Sequence, residues 1–414
     1  MNNSEKAHSF SSEKGRTRNH RKVLTLKIYD TLSQSKVEIE DSKEFKMFIC
    51  GPTVQDNVHL GHAKTYLAFD TLARWLLKRG NKIQFILNIT DVDDKIFNRA
   101  KKENIPYKEI ADRFYNAFLE DLDALNIVTV SRFERVSNYI EASAELVKQL
   151  LDSGSAYSLE GSVFFNTSKA QNFGKLSHQS QLSLKLKEID AAPGKKNGVD
   201  FLLWRGVSDS EGIWESIVGP GRPGWHIQDS AIAFSQFGTP YDLHGGATEL
   251  IFPHHESELA QDEAISGQVP FVKIWMHTGL LHKGKEKMSK SLGNVITIRE
   301  ALGKFSADEI RFHFLRHHYR ESFDYNQKLM EESKSQFTRI SEAARIAPKS
   351  DEKLQSESGK EYWDRFSSQM EDDLHTPDAL KVLLEVCSAL NDERKLELGA
   401  VFWDMTEVLG FKLF

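Results

Sequence analysis

"EFKMFICGPTVQDNVHLGHAKTYLAFDTLARWLLKRGNKIQFILNITDVDDKI", residues 44–96, decides the fold. Met47 to Cys50 form a short apolar run that ends at the turn formers Gly51 and Pro52. Leu67, Leu72, Trp75 and Leu76 then recur at helical spacing, and Ile83 to Ile89 form a second apolar run. Strand, helix and strand in that order predict a parallel βαβ unit. Its binding sites lie beyond the carboxyl ends of the strands. Cys50, the pair His59 and His62, Thr90 and Asp91 all fall at or near that edge.

Outward from this unit the chain changes character. Residues 1–22 are polar, basic and aperiodic, and read as a disordered extension whose glutamates argue against a transit peptide. Order begins with the alternating "VLTLKIYDTL", residues 23–32. Ile110, Phe114, Phe118 and Leu122 mark a helix, and residues 137–154 another, stopped by Gly154. A hairpin pattern follows at "YSLEGSVFFNT", residues 157–167, before a polar Gly/Lys-rich stretch.

These shifts divide the chain into 23–130 as the first half of a nucleotide-binding α/β domain and 131–200 as a connective insertion. The second half, 201–300, resumes at "DFLLW", and 301–414 form a helical bundle. In that bundle Tyr362, Phe366 and Met370 make one apolar stripe and "DALKVLLEVCSALN" supplies another. There is no internal repeat.

A length of 414 residues suits about two or three domains. No apolar run approaches the roughly 18 residues of a membrane span, and no signal core opens the chain. Two cysteines, Cys50 and Cys387, are too few for a disulfide framework, so a cytoplasmic setting is expected. A net charge of -6 excludes a bulk-basic nucleic-acid binder but leaves room for a local basic face.

Three groups of residues carry chemistry. "HLGH", residues 59–62, puts two imidazoles at a helix N-terminus, where free N–H groups favour phosphate. "GKEKMSKSLGN", residues 284–294, places Lys285, Lys287 and Lys290 among glycines and serines, as a loop over a polyphosphate would. In "PHHESELAQDEA", residues 253–264, His254 and Glu258 stand four apart on one helix face, where they can share a metal or decorate a solvated surface. "DVDDKI" lacks the glycine and terminal glutamate of a calcium loop.

Taken jointly, "HLGH" and "KMSKS", more than two hundred residues apart, resemble the paired signature of class I aminoacyl-tRNA synthetases. "CGPTV", "NITDVDDKI", "GRPGWHI", "FPHHESE" and "EKMSKSLGN" are similar, in order and spacing, to cysteinyl-tRNA synthetases from about residue 24 onward.

The resemblance implies a Rossmann-like parallel sheet with an insertion and a helical bundle. It implies activation of cysteine by ATP and Mg²⁺, with transfer to tRNA. His59, His62, Lys287 and Lys290 would act on the phosphates, Gly61, Gly245, Glu249 and Lys290 would contact ATP, and Thr90 and Trp225 would line the amino-acid pocket. It also implies a zinc ion on Cys50, His254, Glu258 and a fourth ligand in "GWHIQDS", where Asp229 stands in place of the family's cysteine. Aspartate is a zinc ligand of the same charge as a thiolate, though a harder one.

Ala247, Glu249 and Gln55 also depart from the family pattern, at glycine, aspartate and tyrosine positions. The family's full-length enzymes continue into a small domain that reads the anticodon, whereas this sequence stops at Phe414. Recognition through the acceptor stem of tRNA is therefore expected. A shorter relative, the cysteine ligase of mycothiol biosynthesis, makes a small amine or a carrier the alternative acceptor. A non-catalytic nucleotide- or RNA-binding paralogue is the third reading. Oligomeric state is not legible.

Overall fold

The computed structural model describes residues 25–41, 44–170, 172–207, 212–284, 286–288, 293–349 and 356–413. The expected disordered extension, residues 1–22, lies outside the described residues, as does Lys290.

The apolar runs of the opening stretch form the strands Phe45–Ile49 and Ile83–Ile89, joined by the helix Leu60–Lys78. They are part of a five-stranded sheet, all of whose pairings are parallel. In space the strands run Val272–Thr278, Tyr241–Ala247, Phe45–Ile49, Ile83–Ile89 and Arg132–Arg135. Chain order therefore reverses between Phe45–Ile49 and Tyr241–Ala247, which opens a crevice outside their carboxyl ends. Cys50 follows the first of these strands and donates its N–H to the Gly245 carbonyl at the end of the second, at 3.0 Å. The fold thus puts Cys50 at the place where such sheets bind ligands.

The hairpin expected at 157–167 is present as Ala156–Leu159 and Ser162–Phe165. Its turn residues, Glu160 and Gly161, have φ of 48° and 80°, a pair of positive values that suits a two-residue hairpin loop. One expectation is corrected here. Phe201–Gly206, read as the resumption of the main sheet, instead pairs antiparallel with Ser162–Phe165 and with Gly221–Pro223. The inserted four-stranded sheet consequently extends to Pro223, and the strand Arg132–Arg135 belongs to the main sheet. An apolar run such as "FLLW" is equally at home in either sheet when both of its faces are covered, so periodicity does not separate the two. Phe201, Leu203 and Trp204 are all buried in the core beneath the insertion.

The C-terminal region is helical, with Gln327–Ile346, Glu357–Glu371, Thr376–Asn391 and Gly399–Leu409 as its longer members. Phe366 and Met370 are fully buried, and Tyr362 packs partly buried against the same core, so the expected stripe is the packed face. The bundle docks on the far half of Leu60–Lys78. Arg311 is fully buried and lies 2.9 Å from Asp70, while Lys78 bonds to Asp404 at 2.5 Å and Glu407 at 2.9 Å. Burial opposes charge on Asp70, but Arg74 and Arg311 outweigh it and hold its carboxyl below the usual range. Among the described residues no helix is long and apolar enough to cross a membrane.

Candidate active site and metal centre

Gly51, directly after Cys50, turns the chain against the next strand: a Cβ there would fall 1.7 Å from the Asn88 carbonyl oxygen. Only glycine permits this approach, and it brings Asn88, near the end of Ile83–Ile89, into the crevice. Asn88 Nδ2 donates to Asp229 Oδ1 at 2.5 Å. Asp229 lies in the first half of the helix Trp225–Phe237 and is 1 % exposed. Its other oxygen is 3.3 Å from Cys50 Sγ and 3.1 Å from His254 Nε2. His254 Nε2 is in turn 2.8 Å from Glu258 Oε1.

Cys50, Asp229, His254 and Glu258, from the three separate stretches "CGPTV", "GWHIQDS" and "FPHHESE", are therefore brought together. Their ligand atoms lie within 4.8 Å of one another and all four residues are buried. One thiol, one imidazole and two carboxylates match the donors zinc takes in four-coordinate sites. Polar groups of this kind, buried together, need a shared cation or shared protons.

The groups respond electrostatically as such a cluster should. Burial, then Glu258 and Asp229, raise the Cys50 thiol well above its usual range. Burial also raises the Asp229 carboxyl. Burial opposes charge on His254, yet Glu258 and Asp229 outweigh it and lift its pKa to about 10.

The structure adds residues that the motif reading did not single out. His244 and His255 approach Cys50 Sγ at 3.5 and 3.0 Å, and His244 Nε2 is 3.1 Å from Glu258 Oε2. Cys50, His244, His255 and Glu258 thus make a second buried set of four donors that shares two members with the first. His255 Nδ1 bonds to His277 Nε2 at 2.7 Å, and His277 Nδ1 to the Thr31 hydroxyl at 2.7 Å. His226 Nδ1 lies 2.8 Å from His254 Nδ1. Burial lowers the pKa of both His226 and His277 to about 3, so these two rings are neutral. The available signal was a histidine on each of two neighbouring strands, His244 in Tyr241–Ala247 and His277 in Val272–Thr278, which spacing within a single motif does not reveal.

At the mouth of the site the Trp225 indole is half-exposed and stacks on the His254 ring, with centroids 4.0 Å apart and planes 11° from parallel. Thr90 is buried, and its backbone bridges to Thr53, which extends the pairing of Phe45–Ile49 with Ile83–Ile89 at one side of the crevice.

His59 caps the helix Leu60–Lys78, accepting the Gly61 N–H on Nδ1 at 3.1 Å; His62 Nδ1 accepts the His59 N–H at 3.3 Å. A neutral imidazole that accepts on Nδ1 carries its proton on Nε2. Both rings, 4.0 Å apart between centroids, are thereby set as Nε2–H donors at a helix N-terminus. Gly61 leaves room for the first ring, since a Cβ there would lie 2.9 Å from it. Gly245 is required by packing: a Cβ would lie 2.5 Å from Phe69 and 2.6 Å from the Met276 carbonyl. Glu249 follows the strand Tyr241–Ala247 in a short helical turn. Lys287 is in the two-residue strand Glu286–Lys287, paired with Leu281–Lys283.

Comparison with known proteins places the chain in a family. Residues 36–335 match the catalytic domain of the tRNA synthetases class I (C), and residues 365–414 match the DALR domain. The cysteine–tRNA ligase of Thermococcus onnurineus is 40% identical over 388 residues, covering 89% of this chain and 80% of that protein. The cysteine–tRNA ligase of Dehalococcoides mccartyi strain BAV1 is 38% identical over 397 residues, covering 94% and 87%. Among solved structures, Mycobacterium tuberculosis methionyl-tRNA synthetase with methionyl-adenylate superposes with a TM-score of 0.62 at 16% identity, covering 89% of this chain and 90% of that one. With the switch-point crevice, the histidine pair and matched segments spanning most of the sequence, the chain belongs to the class I tRNA synthetases of the (C) type, the cysteinyl family.

Proposed function

We propose that this enzyme joins cysteine to tRNA in two steps, both at the crevice between Phe45–Ile49 and Tyr241–Ala247. The observation that carries the reading is the assembly of the "HLGH" helix start and the Cys50 cluster at the same sheet edge.

ATP and Mg²⁺ serve the first step. The cysteine carboxylate attacks the α-phosphorus in line and pyrophosphate departs. No covalent enzyme group is needed, so the protein contributes positioning and charge stabilisation. The Nε2–H groups of His59 and His62 donate to the phosphate oxygens as charge spreads over them. Lys287 and Lys290 neutralise the leaving pyrophosphate, and Gly61, Gly245 and Glu249 border the nucleotide. Thr90 and Trp225 flank the amino acid.

Cys50, Asp229, His254 and Glu258 would hold a zinc ion. When bound, it offers a soft partner to the substrate sulfur. Asn88 fixes the orientation of Asp229, and the stacked Trp225 fixes that of His254. The reading assigns the protein to the cytoplasm, where Cys50 stays reduced, and its free buried thiol suits that setting.

In the second step the terminal ribose of tRNA must reach the activated carboxyl, so we assign the essential RNA contact to the acceptor stem. Offered cysteine and ATP, the enzyme should charge both whole tRNA and a minihelix that carries only the acceptor stem. Cysteine transfer to a small amine, with neither RNA charged, would replace this reading with that of a small-molecule ligase.

A further inference from the structure

The helix that begins with "HLGH" holds a buried amine that the chemistry above does not use. Lys64 is 4% exposed, and its Nζ donates to the carbonyls of Gly279 at 2.6 Å and Tyr319 at 2.9 Å. Its neighbour Thr65 shares a hydroxyl–hydroxyl bond of 2.9 Å with Thr278. Thr278 ends the strand Val272–Thr278, and Gly279 leads into Leu281–Lys283 and Glu286–Lys287. Tyr319 belongs to the facing stretch: it accepts the Gly279 N–H at 2.9 Å, and Phe323 pairs with Leu281. One amine thus ties the N-terminal part of this helix to the two stretches of chain that lead into Leu281–Lys283 and Phe323–Asp324, at the base of the lysine segment.

The other end of that segment returns to the start of the same helix. Leu60 N–H donates to Ile296 O at 2.9 Å, Ile298 N–H donates to Val58 O at 3.3 Å, and His59 bridges to Thr297. There the link is backbone to backbone, whereas at Thr278–Gly279 the side-chain links come from Lys64 and Thr65.

The amine is held against a desolvation penalty. Burial lowers its pKa to about 7, opposed by Glu321, and the Phe323 ring centroid is 5.6 Å away. An ammonium so placed is stable only where carbonyls replace water, and the two it meets lie on separate stretches of chain.

We propose that Lys64 is a positioning residue for the activation step: it fixes the spacing between the His59–His62 pair and the strands that present Lys287. The inference rests on the phosphate roles proposed for those three residues. A shift of about 1 Å between groups that share one transition state costs on the order of 10²-fold in rate, with little change in substrate binding.

The test uses cysteine-dependent ATP–pyrophosphate exchange by the full chain, normalised per active site. The variants are Lys64→Met, Lys64→Arg, Thr65→Val, Lys287→Ala and the double Lys64→Met/Lys287→Ala. We expect Lys64→Met to lower kcat about 10–100-fold with the KM for ATP within about threefold, and Lys64→Arg to recover to within about fivefold of the parent. In the double variant the two losses should not multiply, because both act on one geometry. Should Lys64→Met fail to fold, Thr65→Val reads the same contact and should lose about 3–10-fold, again in kcat. Parental kcat in the folded Lys64 or Thr65 variants, or fully multiplicative losses in the double variant, would overturn the proposal. Parental activity in Lys287→Ala would instead overturn the phosphate reading beneath it.

Discussion

His62→Ala and Lys290→Ala should each slow cysteine-dependent ATP–pyrophosphate exchange by roughly 10²–10³ or more, the usual loss when one preorganised donor to a developing charge is removed. The size follows from what the site offers. Phosphoryl chemistry of this kind leaves the protein no covalent role, so each fixed donor carries a large share of the rate. His62 is fixed: its Nδ1 accepts the His59 N–H at 3.3 Å, so the neutral ring presents Nε2–H. Alanine removes that donor and the half of the capping box that holds the His59 N–H, while the His59 cap on Gly61 remains. Lys290, in "KMSKS", is the residue to which the proposed mechanism gives the charge that meets the departing pyrophosphate. Single-turnover rates with saturating ATP and cysteine separate a lost transition-state contact from weakened binding. Rates within a few-fold of the parent in both variants would remove these residues from the chemistry.

The parts of this account that were legible in the sequence are those set by local pattern. The strands Phe45–Ile49 and Ile83–Ile89 and the helix between them follow from apolar spacing, and the "EG" turn at Glu160 and Gly161 follows from the conformational freedom of its glycine. What pattern could not supply was partnership. "FLLW" reads as a buried strand in any sheet, and only its pairing with Ser162–Phe165 assigns it to the insertion. His244, His255 and His277 meet around Cys50 because three strand ends and a helical turn converge there, a relation absent from any one stretch. Lys64 looks like an ordinary helix-surface lysine until Gly279 and Tyr319 are brought to it from more than two hundred residues away.

The second large effect concerns the metal. The purified protein should hold about one zinc, and His254→Ala should release it, since three ligands rarely sustain a tight four-coordinate site. His254 is the sole imidazole of the set with Cys50, Asp229 and Glu258, and its Nε2 faces both carboxylates, at 3.1 and 2.8 Å. Asp229→Cys should keep the zinc and should favour cysteine over serine at least as strongly as the parent, because a softer ligand set suits a thiolate. Metal analysis and amino-acid competition check these outcomes separately. Zinc kept in His254→Ala but lost in His255→Ala would move the ion to the set that contains His244 and His255. Metal-free protein that still activates cysteine would take zinc out of the mechanism.

The most direct measurement is ATP–pyrophosphate exchange by the unaltered chain with each amino acid offered alone. It needs no acceptor and asks only which carboxylate the crevice activates. Cysteine should give the highest kcat/KM, with serine the nearest competitor, since Asp229, 3.3 Å from Cys50 Sγ, would give the proposed zinc ion an oxygen ligand. Exchange driven best by an amino acid other than cysteine would contradict the account, and so would no amino-acid-dependent exchange at all.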